Sequence, residues 1–296
     1  MASLRDIRTR IGSVKNTKQI TSAMKMVSAA KLKRATDAAT RARPYQQTLA
    51  ATLRRVAANA GDVSHPLITP RERVEKVLVV VITSDRGLCG GFNANLNRRT
   101  LELVQRLRDE GKQVEVRTYG KKARDFFKAR YPAASSIIEI VPARAAGEAM
   151  RLAETLATEF VAEGFDEAWL SYNQFKNTLT QIPTAVRVLP LKLDGATGRV
   201  ATLDKGGIDS TGVEYVYEPS GAEMLAVLLP LALRTQLLQA FLETEAGEHA
   251  ARMTAMDNAT RNASDLIAAL TLEYNRGRQA AITKELIEIV SGAEAL

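Results

Sequence analysis

Cysteine occurs once in the 296 residues, at Cys89, and histidine twice, at His65 and His249. A single thiol excludes an intramolecular disulfide and suits a reducing compartment. So few soft ligands argue against a His/Cys metal site. Aromatic residues are only 5% of the chain, so the core must be built from Ala, Leu, Val and Ile. Long apolar runs are also missing. Residues 77–82 and 224–233 are the strongest, and Pro230 interrupts the second. Neither approaches the roughly 18 to 20 residues a membrane span needs. The opening MASLRDIRTRIGSV lacks the apolar stretch of a secretory signal.

Acidic residues are scarce in one region. Residues 1–55 carry 13 Lys or Arg against Asp6 and Asp37, a net +11. Residues 56–219 are nearly balanced at +1, and residues 220–296 stand at −4. The overall +8 therefore belongs to the N-terminal segment. Such asymmetry points to nucleic acid, an anionic surface or an acidic protein partner.

The N-terminal segment reads as helix. Between residues 3 and 60 the only proline is Pro44 and the only glycine Gly12. Leu4, Ile7, Ile11 and Val14 are spaced 3, 4, 3. The apolar pattern then slips by one and resumes at Ile20, Ala23, Val27 and Ala30. This predicts a narrow pairing seam with a phase shift, with Pro44 as a kink or a new start.

Residues 61–70, GDVSHPLITP, have linker composition. The texture then alternates. Residues 76–84 read as a buried β-branched strand, 93–110 as helix and 113–119 as strand. A short helix is expected over 121–130, a short strand over 137–141, a helix over 144–163, and strands over 167–172 and 184–193. This order implies an α/β domain with a mostly parallel sheet. The glycine-rich stretch 194–212 reads as loop or hairpin, and VEYVY at 213–217 as an edge strand.

From residue 221 almost to the end the pattern is helical. Met253, Met256, Thr260, Ala263, Ile267, Leu270, Tyr274, Gly277 and Ala281 alternate at spacings of 3 and 4. Ile282, Leu286, Ile289 and Ala293 continue on a neighbouring stripe. One unbroken helix over 221–290 spans ~105 Å, whereas a compact globule of this chain length has a radius of gyration of roughly 19 Å. Breaks at Pro230 or Gly247 shorten it, but half that length still protrudes. The expected architecture is a long antiparallel coiled coil of the terminal helices, residues 1–60 with 220–296. A Rossmann-like α/β domain, residues 71–218, is attached to its side.

Candidate chemistry is sparse. SDRGLCGGFN, residues 84–93, lies between strand and helix, where α/β folds bind phosphate. Gly87, Gly90 and Gly91 fit neither common glycine fingerprint. A tight strand-to-helix turn, tied down by Asp85 and Arg86, is the preferred reading over a nucleotide-binding enzyme. Cys89 reads as a small buried hydrophobe. The basic helix has no aromatic residue before Tyr45 on which a base could stack. Nucleic-acid binding, a solvated coiled-coil face and docking to an acidic protein loop stay open. The apolar C-terminal stretch ITKELIEIVSGAEAL calls for a sleeve in another protein.

Three blocks carry a resemblance: RIGSVKNTKQITSAMKMVSAAKL, SDRGLCGGFN, and RMTAMDNATRNASDLI with LTLEYNRGRQAAITKELIEIVSGAEAL. Together, in this order and over nearly the whole chain, they resemble the gamma subunit of bacterial F-type ATP synthase. The resemblance implies a rotor shaft, itself without catalytic residues, cofactor or metal. It couples ion-driven rotation of a c-ring to ATP synthesis at beta-subunit sites. The implied partners are three alpha and three beta subunits, an epsilon subunit and the c-ring. Nucleic acid is not among them, and the membrane is met only through the complex. By the same resemblance Arg278, Gln279 and Thr283 bond to loops of the ring. Met24 and Lys25, with Lys18 in reach, pass an acidic beta loop. Ile282, Leu286, Ile289 and Val290 face the apolar sleeve, and Tyr217 lies toward epsilon or the c-ring. The regulatory cysteine pair of chloroplast members is absent, and no transit peptide precedes the first block. The expected location is the cytoplasmic face of a bacterial inner membrane.

Overall fold

The computed structural model describes residues 3–59, 65–128, 142–192 and 220–294. The strand expected over 137–141, the hairpin over 194–212, the edge strand over 213–217 and Tyr217 lie outside the described residues. Two compact units are present. One comprises Met1–Ala29 with Arg252–Leu296, the other Ala30–Ala251.

In the second unit, β1 (Lys76–Ile82), α2 (Phe92–Asp109), β2 (Gln113–Tyr119), α3 (Lys121–Phe127), α4 (Pro142–Val161), β3 (Glu167–Phe175) and β4 (Gln181–Leu189) follow in chain order. The described sheet runs β2-β1-β3-β4. β1 pairs parallel with β2 and with β3, and β4 closes the edge antiparallel to β3. The mostly parallel α/β domain is as expected. The fourth strand starts at Gln181, earlier than its β-branched run suggests, because Pro183 is tolerated on an edge strand.

β1 explains the unbroken apolar run. Val77, Val79 and Val81 point into a core with Leu96, Leu103 and Val104 of α2 and Phe127 of α3. Leu78, Val80 and Ile82 point the other way, into a core with Leu152, Leu156 and Phe160 of α4. A central parallel strand covered on both faces has no solvent side to spare for polar residues.

The terminal helices are α1 (Leu4–Asn59) and α5 (Gly221–Glu294). Pro44 and Pro230 lie inside them, and neither proline nor Gly247 divides its helix. Ser220 caps α5: its hydroxyl accepts the Glu223 N–H (3.2 Å) and donates to the Glu223 carboxylate (3.1 Å), an N-cap on a Ser-x-x-Glu sequence. Leu225, Leu229, Leu233, Leu237 and Phe241, each four residues after the last, enter the α4-side core with Ala39, Leu53 and Val56 of α1. Part of α5 is long and apolar enough to cross a membrane by length and composition, contrary to the sequence reading. Half of that window is buried inside the protein, as in the core helix of a globular domain.

Candidate partner interface

In the first unit the two helices pair antiparallel. Leu4 approaches Gly277, Thr21 bonds Thr260 and Lys25 bonds Asp257. As the α1 number rises, its α5 partner falls in step. All nine α5 positions of the expected seam, Met253 to Ala281, are buried or half-buried.

On α1 the structure corrects the expected phase shift. The heptad runs on without a slip through Leu4, Ile7, Ile11, Val14, Lys18, Thr21, Lys25, Ser28 and Leu32. Thr21 and Ser28 are buried on it, while Lys18 and Lys25 are exposed. Polar residues at seam positions disguised the pattern. Ile20, Ala23, Val27 and Ala30 instead lie on the outer face, with Ile20 60%, Met26 65% and Val27 57% exposed. That outer apolar stripe was missed as a surface feature. Its signal was present in the sequence as two apolar stripes of different phase on one helix.

The polar section of the seam is internally bonded. The Thr260 hydroxyl lies 2.8 Å from Thr21 Oγ1, and the Thr21 hydroxyl donates to the Lys18 carbonyl (3.1 Å). Lys25 Nζ donates to Asp257 Oδ1 at 2.6 Å, while Arg261 reaches Asp257 Oδ2 at 2.7 Å. The Lys25 hydrogen bond, with the charge of Arg261, holds the Asp257 carboxyl below its ordinary range. Lys25 is thus partly neutralised from within the chain. Lys18 is exposed and Met24 half-buried.

The other expected contact residues lie along the last turns of α5. Arg278, Gln279, Ile282, Thr283, Leu286, Ile289 and Val290 are all exposed. Ile282, Leu286, Ile287, Ile289 and Val290 are between 49% and 68% exposed, an apolar surface left open among the described residues. The cause is register: α1 begins at Leu4, opposite Gly277, so α5 outruns it. Lys25 lies opposite Asp257, 21 residues before Arg278 on α5, or ~30 Å along the helix. The expected residues therefore form two groups at different heights.

The 84–93 segment is a self-closed turn. Asn93 Oδ1 accepts the Ser84 N–H (3.1 Å), and Asn93 Nδ2 donates to Ser84 Oγ (2.8 Å) and toward Cys89 Sγ (3.2 Å). Ser84 Oγ donates to the Arg86 carbonyl, and Asp85 accepts the Lys121 N–H at 2.7 Å. Leu88 and Gly90 take φ of 61° and 58°, a left-handed bend that glycine accepts without cost. Cys89 is buried. Of the two residues expected to tie down the turn, Asp85 does so through its side chain, whereas the exposed Arg86 takes part through its carbonyl. Among the described residues no group of three or more His, Cys, Asp or Glu is placed to hold a metal ion.

Comparison with known proteins gives one direction. A family model described as ATP synthase matches residues 3–296. The chain is 48% identical to the ATP synthase gamma chain of Hyphomonas neptunium, with all of both chains covered. It is 47% identical, again at full coverage, to that of Pelotomaculum thermopropionicum. In fold it resembles a chain of the Tetrahymena thermophila mitochondrial ATP synthase central stalk and c-ring structure. The TM-score there is 0.54 at 25% identity, covering 81% of this chain and 99% of that one. It also resembles a chain of the Euglena gracilis mitochondrial ATP synthase rotor, with a TM-score of 0.64 at 24% identity, covering 94% and 98%.

Proposed function

This chain belongs to the ATP synthase gamma-chain family, and from that membership we propose that it is the central shaft of a bacterial ATP synthase, with no active site of its own. Residues 1–60 and 220–296 serve as the shaft and 71–218 as the α/β domain beside it. The observation that carries the reading is the tip of α5. An apolar helix surface from Ile282 to Val290, left open by the described residues, needs a surrounding partner in solution. A ring of three alpha and three beta subunits supplies one. Arg278, Gln279 and Thr283 then bond ring loops at the near edge of the sleeve. Lys18, Met24 and Lys25, lower on the shaft, meet an acidic beta loop, with the outer stripe of Ile20 and Val27 beside them. Epsilon and the c-ring meet the α/β domain, and the complex lies at the cytoplasmic face of the inner membrane.

The shaft acts by differential contact energy. At each angle its uneven faces favour one conformation of a neighbouring beta subunit over another, which shifts nucleotide affinities in turn. A shaft of two helices serves because it is not three-fold symmetric.

The test is reconstitution. Mixed with separately purified alpha and beta subunits, the chain yields a large complex whose ATP hydrolysis depends on it. Folded subunits that neither assemble with it nor gain ATPase activity overturn the proposal. Within the complex, Arg278→Ala impairs turnover or coupling; a normal coupled enzyme removes Arg278 from the contact set.

A further inference from the structure

Doubly wound sheets bind their ligands outside the carboxyl ends of the strands, where the strand order reverses. Here the reversal lies at β1, which has β2 on one side and β3 on the other. That edge of the sheet is occupied by α5. A Cβ at Gly247 would stand 2.8 Å from the Phe92 ring and 3.4 Å from Gln181 Cγ, so the helix passes with no room for a side chain. One turn earlier Glu243 is fully buried. Its Oε2 accepts the backbone N–H of Phe175 (3.3 Å), and its Oε1 accepts Gln239 Nε2 (2.5 Å). The Phe241 ring meets Tyr119 edge-on at 5.6 Å. Phe92 starts α2, Tyr119 and Phe175 end β2 and β3, and Gln181 starts β4. All four lie at one end of the sheet.

Residues 241–247 are buried without exception. A helix lying on a single layer buries one stripe; burial of about two full turns requires enclosure. The 84–93 motif belongs to the enclosure. Its Ser84–Asn93 bonds fix the turn, and Asn173 Nδ2 donates to the Phe92 carbonyl (3.1 Å), which holds the Phe92 ring over Gly247.

We infer that the α/β unit uses its strand-end crevice as a clasp for α5 and that this clasp is a torque joint, with Phe92, Glu243 and Gly247 as positioning residues. The inference rests on the shaft reading. Apolar contact alone is non-directional and resists rotation of a helix weakly. Here, turning α5 by one residue swings Glu243 off the Phe175 N–H. The carboxylate keeps its intrahelical bond to Gln239 but loses the one to the sheet, and the buried Phe175 N–H loses this acceptor, at a desolvation cost. It also drives the side chain of Ala246 or Glu248 toward the Phe92 ring.

The test uses the complete complex in vesicles, carrying Phe92→Ala or Glu243→Ala, with Glu243→Gln as the conservative variant. The readout is ion uptake per ATP hydrolysed. The joint predicts that hydrolysis persists while uptake per ATP falls in both alanine variants, and that Glu243→Gln restores part of it. A purely structural role lowers hydrolysis and uptake together and leaves the ratio unmoved. Hydrogen exchange on the complete chain decides the case if the variants fail to assemble. The wild-type amides of residues 241–247 exchange far more slowly than those of 282–290, and Glu243→Ala speeds them without affecting β1. A wild-type ratio in both alanine variants overturns the inference, as does equally fast exchange in the two wild-type segments. A wild-type complex that hydrolyses ATP without ion uptake sinks the shaft reading instead.

Discussion

Three helix glycines differ only in what surrounds them, and this makes a graded experiment. In a helix interior, alanine is ~1 kcal/mol more favourable than glycine. At Gly12 an added Cβ meets nothing within 4 Å, so Gly12→Ala keeps the whole ~1 kcal/mol gain. At Gly277 the new carbon stands 3.0 Å from Leu4 Cδ2, the far end of a flexible side chain at the first residue of α1. An off-rotamer shift of Leu4 costs ~0.5–1.5 kcal/mol, so Gly277→Ala ends near neutral. At Gly247 the carbon stands 2.8 Å from a ring carbon of Phe92, a buried residue. Overpacking there costs ~1–3 kcal/mol, so Gly247→Ala is neutral at best and destabilising by up to ~2 kcal/mol once the ~1 kcal/mol helix gain is subtracted. Native-state hydrogen exchange is the assay, because it reads each region's own opening, whereas one melting curve for two units does not. Gly12→Ala slows exchange around it about fivefold, as ~1 kcal/mol requires. Gly247→Ala does not slow exchange in the 241–250 turns. Equal stabilisation by Gly12→Ala and Gly247→Ala would mean that the Phe92 ring does not restrict the helix at Gly247, since only their surroundings separate the two sites.

Other outcomes follow from particular residues. The Ser3 hydroxyl and backbone N–H both donate to Asp6 and hold its carboxyl below the ordinary range. That contribution is complete above the ordinary carboxylate pKa and is lost as pH falls through the lowered value. Amide protection of residues 4–10 therefore fades in acid, and Asp6→Asn shows the loss already at neutral pH. Gly90 and Gly120 are both left-handed, at φ 58° and 94°, but only at Gly120 does a Cβ strike backbone, 2.3 Å from the Thr83 carbonyl oxygen. Gly90→Ala costs ~1–2 kcal/mol in urea unfolding, and Gly120→Ala costs clearly more or yields no folded protein. Leu286→Asp with Ile289→Asp changes exposed positions only, so unfolding of the isolated chain shifts by no more than ~0.5 kcal/mol per site. Assembly with alpha and beta subunits is nevertheless lost, which gel filtration reads directly.

Much of the fold was legible because its elements have clean periods. The six-residue apolar run of β1 marked a strand covered on both faces. The alternating threes and fours from Met253 to Ala281 marked a pairing seam that the structure reproduces position by position. The seam of α1 was misread because Lys18, Thr21, Lys25 and Ser28 occupy it. A pattern search follows apolar residues, and here they sit on the outside while buried hydroxyls and an exposed ion pair hold the seam positions. The ion pair of Lys25 with Asp257 was equally hidden, since it joins residues 232 apart in sequence. Gly247 read as a possible break because local propensity disfavours glycine in a helix. Tertiary packing decides otherwise, as the residue is needed where the helix passes Phe92. The glycines at 84–93 signalled a turn at the place where α/β folds bind ligands, but not that this chain's own helix fills that place.

As a shaft, this chain is proposed to turn within its partners. The direct measurement anchors the alpha and beta subunits of a reconstituted complex to a surface. A marker is attached at an exposed position of the α/β unit, such as Leu179, replaced by cysteine after Cys89→Ser. Addition of ATP then produces sustained rotation of the marker in one direction, which stops when ATP is exhausted. A marker that stays fixed or only fluctuates, on complexes that are hydrolysing ATP, shows that the chain is not a rotating shaft.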